Sequence, residues 1–207
     1  MSAGEALAHG AAELHLALSS DIRERLMRYL ALLKKWNKVY NLTAVQGEQE
    51  MVSRHLLDSL AVVPYVEARS ILDVGSGAGL PGIPLALALP RSQVSLLDAN
   101  QKKAAFLRQA AIELGLENVH VVCERVETWQ THERFEIVIS RAFSDLRKFL
   151  MLAGRLCAEG GTMAAMQGTY AQDQFSRFPR EFRLNRVVPL KVPGMSAQRH
   201  LVLMQSA

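Results

Sequence analysis

The feature that most constrains the fold of this chain is a change of pattern near residue 69. From there on, short apolar runs typical of buried strands alternate with helical stretches. The runs occupy residues 70–75, 93–99, 118–124, 135–142 and 161–168. This rhythm predicts a mostly parallel sheet with helices on both faces, an α/β fold. Two further β-rich runs, 181–192 and 198–205, are separated by a Pro-Gly turn and predict a C-terminal antiparallel hairpin.

The first 66 residues carry a different, helical pattern. Apolar residues recur at three- and four-residue spacings through residues 22–39, which predicts a long amphipathic helix. A second helix is expected over residues 48–63, ending at Pro64. We therefore expect an N-terminal helical extension over residues 1–66 and an α/β domain over residues 67–207.

Composition narrows the class of protein. The two cysteines, Cys123 and Cys157, lack metal-like spacing and indicate reduced thiols, with Cys157 expected in a helix. The N-terminus has no basic segment leading into an apolar core, so no secretory signal is predicted. These features favour a cytoplasmic protein without a membrane span.

Positive charge is in excess. The formal net charge is +4, and residues 174–200 carry six basic side chains against one acidic side chain. Such a surplus suits a polyanion such as nucleic acid. An ordinary solvated surface is the alternative.

Four glycines lie between the first predicted strand and the next helix, at Gly75, Gly77, Gly79 and Gly82. Glycine lets the backbone turn sharply and approach a ligand closely. In open α/β sheets, ligands bind beyond the carboxyl ends of the strands, where this turn lies. A ligand site is therefore expected here, with a purely structural turn as the alternative.

Asp73 favours one class of ligand for the glycine turn. The spacing also matches the dinucleotide fingerprint, but a carboxylate just before the turn repels a pyrophosphate and attracts an ammonium group. S-adenosylmethionine combines a cationic amino-acid end with a nucleoside. Asp98, at the end of the second strand, is placed to accept hydrogen bonds from a ribose, unless it caps the following helix. Val126 and Glu127 are placed to meet an adenine edge, with Glu127 as a plain surface residue the alternative.

The fourth strand ends in Ile-Ser-Arg-Ala-Phe, which narrows the chemistry. Neither the Asn/Asp-Pro-Pro-aromatic tip typical of transfer to exocyclic amines nor a cysteine beside proline is present there. A ring nitrogen such as guanine N7 has a free lone pair, so its methylation needs alignment more than a base. Arg141 at this tip, without an obvious base, fits that chemistry, or else serves as a structural ion-pair partner.

Seven blocks of the sequence resemble one known family, ribosomal RNA small subunit methyltransferase G, also called glucose-inhibited division protein B. They read KWNKVYNLTAV, RHLLDSL, DVGSGAGLPGIPLA, LLDANQKKAAFLR, RVE, ISRAF and RHLVL, between about residues 30 and 204. The resemblance implies a class I, Rossmann-like methyltransferase. It also implies methyl transfer from S-adenosylmethionine to N7 of guanine 527 in 16S ribosomal RNA of the small subunit.

The resemblance also implies roles for individual residues. Cofactor contacts fall on Gly75, Leu80, Val126, Glu127 and Arg141, and the basic residues Arg125 and Arg141 serve RNA and catalysis. A monomer with 16S ribosomal RNA as partner is expected.

One position departs from the family pattern. Many members end the fifth strand in Leu-Lys-Gly, where this chain has Met166-Gln167-Gly168. Arg199 or Lys191 could replace that lysine, or the lysine is dispensable.

Three other functions remain open at this point. They are a small-molecule methyltransferase of the same fold, a ribosome-assembly factor that binds cofactor without turnover, and a nicotinamide-dependent reductase.

Overall fold

A seven-stranded sheet forms the centre of the molecule. The structure is a computed structural model that describes residues 1–169, 175 and 178–206. The strands are β1 (Ser70–Val74), β2 (Gln93–Leu97), β3 (Val119–Val122), β4 (Phe135–Ser140), β5 (Cys157–Gln167), β6 (Phe182–Leu190) and β7 (Arg199–Ser206). Their order is β3-β2-β1-β4-β5-β7-β6. β1 to β5 are parallel, and β7 runs antiparallel to both β5 and β6. The predicted parallel sheet with a C-terminal hairpin is confirmed.

Helices precede the sheet and lie in the connections that follow β1, β2 and β4. They are α1 (Ala3–Glu13), α2 (Ser20–Tyr40), α3 (Glu48–Met51), α4 (Asp58–Leu60), α5 (Gly82–Ala88), α6 (Gln101–Glu113) and α7 (Leu146–Ala153). A π-helical turn, Val52–Leu57, joins α3 to α4, and short 3₁₀ turns occupy Val63–Tyr65 and Gly154–Leu156. The predicted helix over 48–63 is thus helical but interrupted by a wider turn, a feature that often accompanies functional sites.

The helical assignment of Cys157 is wrong. α7 ends at Ala153, a 3₁₀ turn follows, and Cys157 is the first residue of β5. Its side chain is buried in the cluster that contains α7, and burial raises the pKa of the thiol to about 11. The strand therefore starts four residues before the predicted run at 161–168.

Alternation along the strands builds two apolar layers. In β1, Ile71 points into the layer that contains α2, α5 and α6, whereas Leu72 points into the layer that contains α7. Successive side chains of a strand point to opposite faces, so a fully apolar strand is buried on both sides. None of the described helices combines the length and the apolar content that a membrane-spanning helix needs.

The helical extension shares its core with the sheet and supports the glycine turn. Leu26 and Leu33 of α2 belong to the same buried cluster as Phe106 of α6. The fully buried Tyr29 donates its hydroxyl hydrogen to the carbonyl of Ala78, at 2.6 Å, in the middle of the turn. The division at residues 66 and 67 stays a prediction, since one continuous core spans both parts.

Candidate active site

The turn after β1 has a backbone that favours glycine at three positions. Gly75, Gly77 and Gly79 have φ angles of 71°, 59° and 86°, in the left-handed region. A Cβ on Gly75 would lie 3.0 Å from that of Ala142, whereas one on Gly77 would have room. A Cβ on Gly79 would collide with Ile83, so its role is close packing. The turn therefore needs glycine for two reasons, conformation and space.

Two adjoining cavities lie over this turn. The first, about 260 Å³, is bordered by Val74, Gly75, Leu97, Asp98, Ala99, Glu124, Arg125, Val126, Glu127, Ala142 and Phe143. The second, about 180 Å³, is bordered by Leu42, Thr43, His55, Gly75, Ser76, Gly77, Ala78, Leu80, Arg141 and Ala142. They share Gly75 and Ala142. Both lie at the carboxyl ends of β1, β2 and β4, where the strand order reverses and ligands of open α/β sheets bind.

Asp98 borders the first cavity with its carboxylate held in place. One oxygen accepts the N–H of Gly77 at 2.9 Å, and the other accepts the N–H of Asn100 at 2.8 Å. The helix cap of α6 is Asn100, whose side chain accepts the N–H groups of Lys102 and Lys103. The alternative that Asp98 caps this helix is therefore wrong. A carboxylate has about four acceptor sites, so two remain for a ligand.

The residues after β3 form the far wall of the first cavity. Val126 and Glu127 border it, as the sequence predicts for an adenine edge. Arg125 borders it too, but its side chain is 70% exposed and lies 3.7 Å from the Glu127 carboxylate. Arg125 and Arg141 consequently face different cavities. The structure does not bring the two predicted catalytic arginines together.

Asp73 lies under the turn and borders neither cavity. It is fully buried, and one carboxylate oxygen accepts the N–H of Gly82 at 2.9 Å. Burial raises the pKa of Asp73 to about 7, while the Gly82 N–H and the charge of Arg141 oppose that rise. The other carboxylate oxygen of Asp73 has no hydrogen-bond partner among the described residues. The bond from Gly82 ties the turn to the start of α5, and the expected contact of Asp73 with a ligand ammonium stays a prediction.

Arg141 is held by the helical extension. One of its terminal nitrogens donates to the Arg54 carbonyl at 3.1 Å and lies 3.3 Å from the Asp58 carboxylate. Arg199, at the start of β7, donates twice to the same carboxylate, both at 2.7 Å. Asp58 is buried, so one carboxylate serves two guanidinium groups that are themselves mostly buried. The cluster therefore carries one excess positive charge beside the second cavity.

His55 is a further polar residue of the second cavity. The buried ring faces Thr43, with 2.8 Å between Nε2 and the hydroxyl. Burial, and then the charge of Arg141, lower the pKa of His55, while the Arg54 carbonyl and Asp58 oppose that shift. The imidazole is therefore neutral near pH 7.

The sequence reasoning missed Asp58 and His55. A signal was present, because a histidine and an acid three residues apart interrupt an otherwise apolar helical run. Nothing in that run, however, identifies Arg141 or Arg199 as partners.

Gln167 fixes the chain that follows Arg141. It is buried at the end of β5, and its amide nitrogen donates to the carbonyls of Phe143, at 3.4 Å, and Ser144, at 3.2 Å. Arg199, which we considered as a substitute for the family lysine, is engaged by Asp58. The amide therefore has a structural task of its own at this strand tip.

Comparison with solved structures defines the class. The fold matches that of an O-methyltransferase from Bacillus cereus in complex with S-adenosylhomocysteine, with a TM-score of 0.61, 17% identity and 95% of each chain covered. It also matches TrmN from Thermus thermophilus, with a TM-score of 0.56, 18% identity, and 75% and 53% of the two chains covered. The chain thus has the class I methyltransferase fold.

Comparison with sequences gives the family. The model of the GidB family, rRNA small subunit methyltransferase G, matches residues 22–202. Ribosomal RNA small subunit methyltransferase G of Laribacter hongkongensis is 52% identical, with 98% of each chain covered. The protein of the same name from Nitrosospira multiformis is 49% identical, with 100% of this chain and 99% of its own length covered. The chain belongs to this family.

Proposed function

We propose that this protein transfers a methyl group from S-adenosylmethionine to N7 of guanine 527 in 16S ribosomal RNA of the small subunit. Membership of the family supports the reaction and the RNA substrate. The observation in the structure that carries the proposal is the pair of adjoining cavities. Their walls hold seven of the predicted cofactor residues: Gly75, Gly77, Leu80, Asp98, Val126, Glu127 and Arg141.

The residues present fit S-adenosylmethionine. The first cavity suits the nucleoside, with Asp98 toward the ribose hydroxyls and Val126 and Glu127 toward the adenine. The second cavity suits the amino-acid end, because the excess positive charge around Arg141 attracts a carboxylate. Asp73 acts from beneath, by holding the turn in place. When bound, the cofactor supplies an electrophilic methyl group on a sulfonium.

In the proposed reaction the main task of the protein is to align the guanine with the methyl group. Guanine N7 has a lone pair and no proton to remove, so attack on the methyl carbon needs no general base. Holding two reactants in line corresponds to effective molarities of ~10⁵ M or more in model reactions. Arg141 lies at the tip of β4, where its guanidinium can donate to guanine O6 and orient the base while the N7 lone pair stays free to attack the methyl carbon. Arg125, exposed at the rim of the first cavity, is assigned to RNA.

Fewer basic residues of the segment 174–200 are free to contact RNA than the sequence predicts. Of the C-terminal basic run, Arg199 is used inside the protein by Asp58, and Arg186 lies 5.2 Å from the ring centre of Tyr65. Arg177 lies outside the described residues. Arg183 and Lys191 remain exposed and available for phosphates. We further propose a cytoplasmic monomer that acts on the small ribosomal subunit.

Methyl transfer from labelled S-adenosylmethionine tests the proposal. Isolated small subunits and deproteinised 16S RNA are compared as substrates, and the product nucleoside is identified by mass spectrometry. We expect 7-methylguanosine at one position. Label in a small molecule, in another nucleoside, or in neither RNA substrate would overturn the proposal.

Arg141→Ala tests the assignment of the strand tip. At saturating RNA, single-turnover methylation is expected to fall by far more than RNA affinity. Glu127→Gln, in the other cavity, is the control, and it should affect cofactor affinity alone. Wild-type turnover in Arg141→Ala would show that the methyl group is delivered elsewhere.

A further inference from the structure

A third and larger cavity lies outside the proposed cofactor site. It has a volume of about 760 Å³ and lies between the end of α2 and the loop that follows. Its walls are formed by Lys34, Asn37, Lys38, Asn41, Thr43, Ala44, Val45, Gln46 and Met51. Neither the proposed cofactor contacts nor the reaction uses this space.

The charge of this cavity points to an anion. Lys34 and Lys38 are four residues apart on α2, so their side chains share one face of the helix. Both are exposed, and neither forms an ion pair with another described residue. No acidic side chain of the described chain is part of the cavity wall. Two like charges one turn apart repel each other slightly, and a bound anion removes that repulsion.

The loop that closes the cavity is fixed before any ligand arrives. Asn37 donates its amide hydrogen to the Thr43 carbonyl at 2.9 Å, and the Thr43 N–H donates back to the Asn37 side-chain oxygen at 2.8 Å. The Thr43 hydroxyl also accepts the N–H of Val45 at 3.1 Å. These bonds hold residues 41–45 in one shape, so a ligand meets a surface that needs little ordering.

The cavity adjoins the cavity at the strand tip. Thr43 borders both this cavity and the smaller one that contains Arg141 and Gly77. A chain that places one base at Arg141 can therefore continue past Thr43 toward the two lysines. The volume is far larger than a single phosphate needs and lies within the range of 300–1,000 Å³ typical of small-molecule sites, as a nucleotide requires.

We propose that this cavity, which we call the α2 pocket, binds the single-stranded RNA next to the target guanine, with its phosphates at Lys34 and Lys38. The proposal rests on the proposed function, since it gives the RNA substrate a path to the same strand tip. Single-stranded segments are the usual targets of sequence-specific RNA recognition, because their bases are free to leave the stack. Asn41 and Gln46 offer amide groups to a base edge in the pocket.

Charge-neutralising variants on one helix test the α2 pocket. Lys34→Gln and Lys38→Gln each remove one charge from the pocket, and Lys35→Gln removes one charge from a neighbouring exposed residue that does not line it. RNA binding is measured by fluorescence anisotropy over a series of salt concentrations. Each pocket variant should lower the slope of log affinity against log salt by about 0.7, the value for one phosphate contact with single-stranded nucleic acid, and the double variant by about 1.4. Lys35→Gln should change the slope by far less.

Two further readouts separate the outcomes. Cofactor affinity should match wild type in all three single variants, because none of these lysines borders the cofactor cavities. Lys35→Gln, which lies outside the pocket, should also keep the wild-type single-turnover rate at saturating RNA. If the wild-type protein fails to methylate RNA at all, the proposed function fails, whatever the salt slopes. If wild type methylates RNA and the pocket variants behave like Lys35→Gln, the pocket does not bind RNA phosphates. Reduced methylation of intact subunits with unchanged affinity for naked RNA would instead assign the pocket to a ribosomal protein and overturn the proposal.

Discussion

Removing the charge of Asp58 is the sharpest test of how the helical extension is tied to the strand tip. In Asp58→Asn the side chain keeps its shape but leaves Arg141 and Arg199 without their shared counter-charge. Losing one partner of a buried ion pair costs about 3–5 kcal/mol. Because the side chains of Arg141 and Arg199 keep 25% and 17% of their exposure, the lower end applies, about 3 kcal/mol.

That loss predicts a measurable fall in melting temperature. For a chain of this size, 1 kcal/mol corresponds to roughly 2–4 °C, so Asp58→Asn should lower the melting temperature by about 6–12 °C. Urea unfolding gives the free energy directly. Glu50→Gln is the matched control, because it breaks an exposed pair with Arg54 on the same helical segment and should cost less than about 1 kcal/mol.

A double-mutant cycle separates the charge from the shape. Arg199→Met removes the guanidinium group that donates twice to Asp58 at 2.7 Å and leaves Arg141, at 3.3 Å, as the remaining partner. In the Asp58→Asn/Arg199→Met protein one unpaired charge has gone, so the loss should be smaller than the sum of the two single losses. Additive losses, or a loss from Asp58→Asn no larger than that from Glu50→Gln, would refute the view that Asp58 holds both arginines by charge.

Three more predictions follow from the glycine turn and its carboxylates. Gly77→Val should abolish S-adenosylmethionine binding in calorimetry. Gly115→Val, at the same φ of 59° with open space around it, should cost similar stability but leave binding intact. Binding retained equally in both variants would show that the site lies elsewhere, and NAD should not bind the wild-type protein at comparable affinity. Asp98→Ala should weaken cofactor binding by about 1.5–3 kcal/mol, the range for a hydrogen bond to a charged group, with unchanged affinity contradicting the ribose contact. Because the pKa of Asp73 is raised from 3.8 to about 7, the folded protein holds this proton more tightly than the unfolded chain, and the Asp73 contribution to stability should fall by about 3 kcal/mol as pH rises from 4 to 7. Subtracting the unfolding free energies of Asp73→Asn from those of wild type across this range isolates the term, and a flat difference would show that the carboxyl is not desolvated.

The sequence alone determined the order of strands and helices along the chain and the location of the candidate ligand site. Period-two and period-3.6 patterns are local properties, so the five parallel strands and the C-terminal hairpin could be predicted from neighbouring residues. The glycine-rich turn could be predicted because the turn between a strand and a helix needs a backbone conformation that glycine adopts easily, here the positive φ of Gly75 and Gly77. Asp98, Val126 and Glu127 could be placed because carboxyl ends of parallel strands meet at one edge.

Only the tertiary structure decided what each polar group contacts. Asp73 lies near the end of β1 and Asp98 directly follows β2. Asp73 is buried beneath Gly82, where α5 packs on β1, whereas Asp98 borders the first cavity. Asp58 is 83 residues away from Arg141 along the chain and 141 residues away from Arg199. The three residues meet only because a helix, a strand tip and the last strand converge. No local pattern encodes such a meeting, since an arginine in the sequence is equally compatible with RNA phosphate and with a buried carboxylate. For Arg199 the burial of Asp58 selects the carboxylate over RNA phosphate, because a carboxylate removed from water must be paired with strong hydrogen-bond donors.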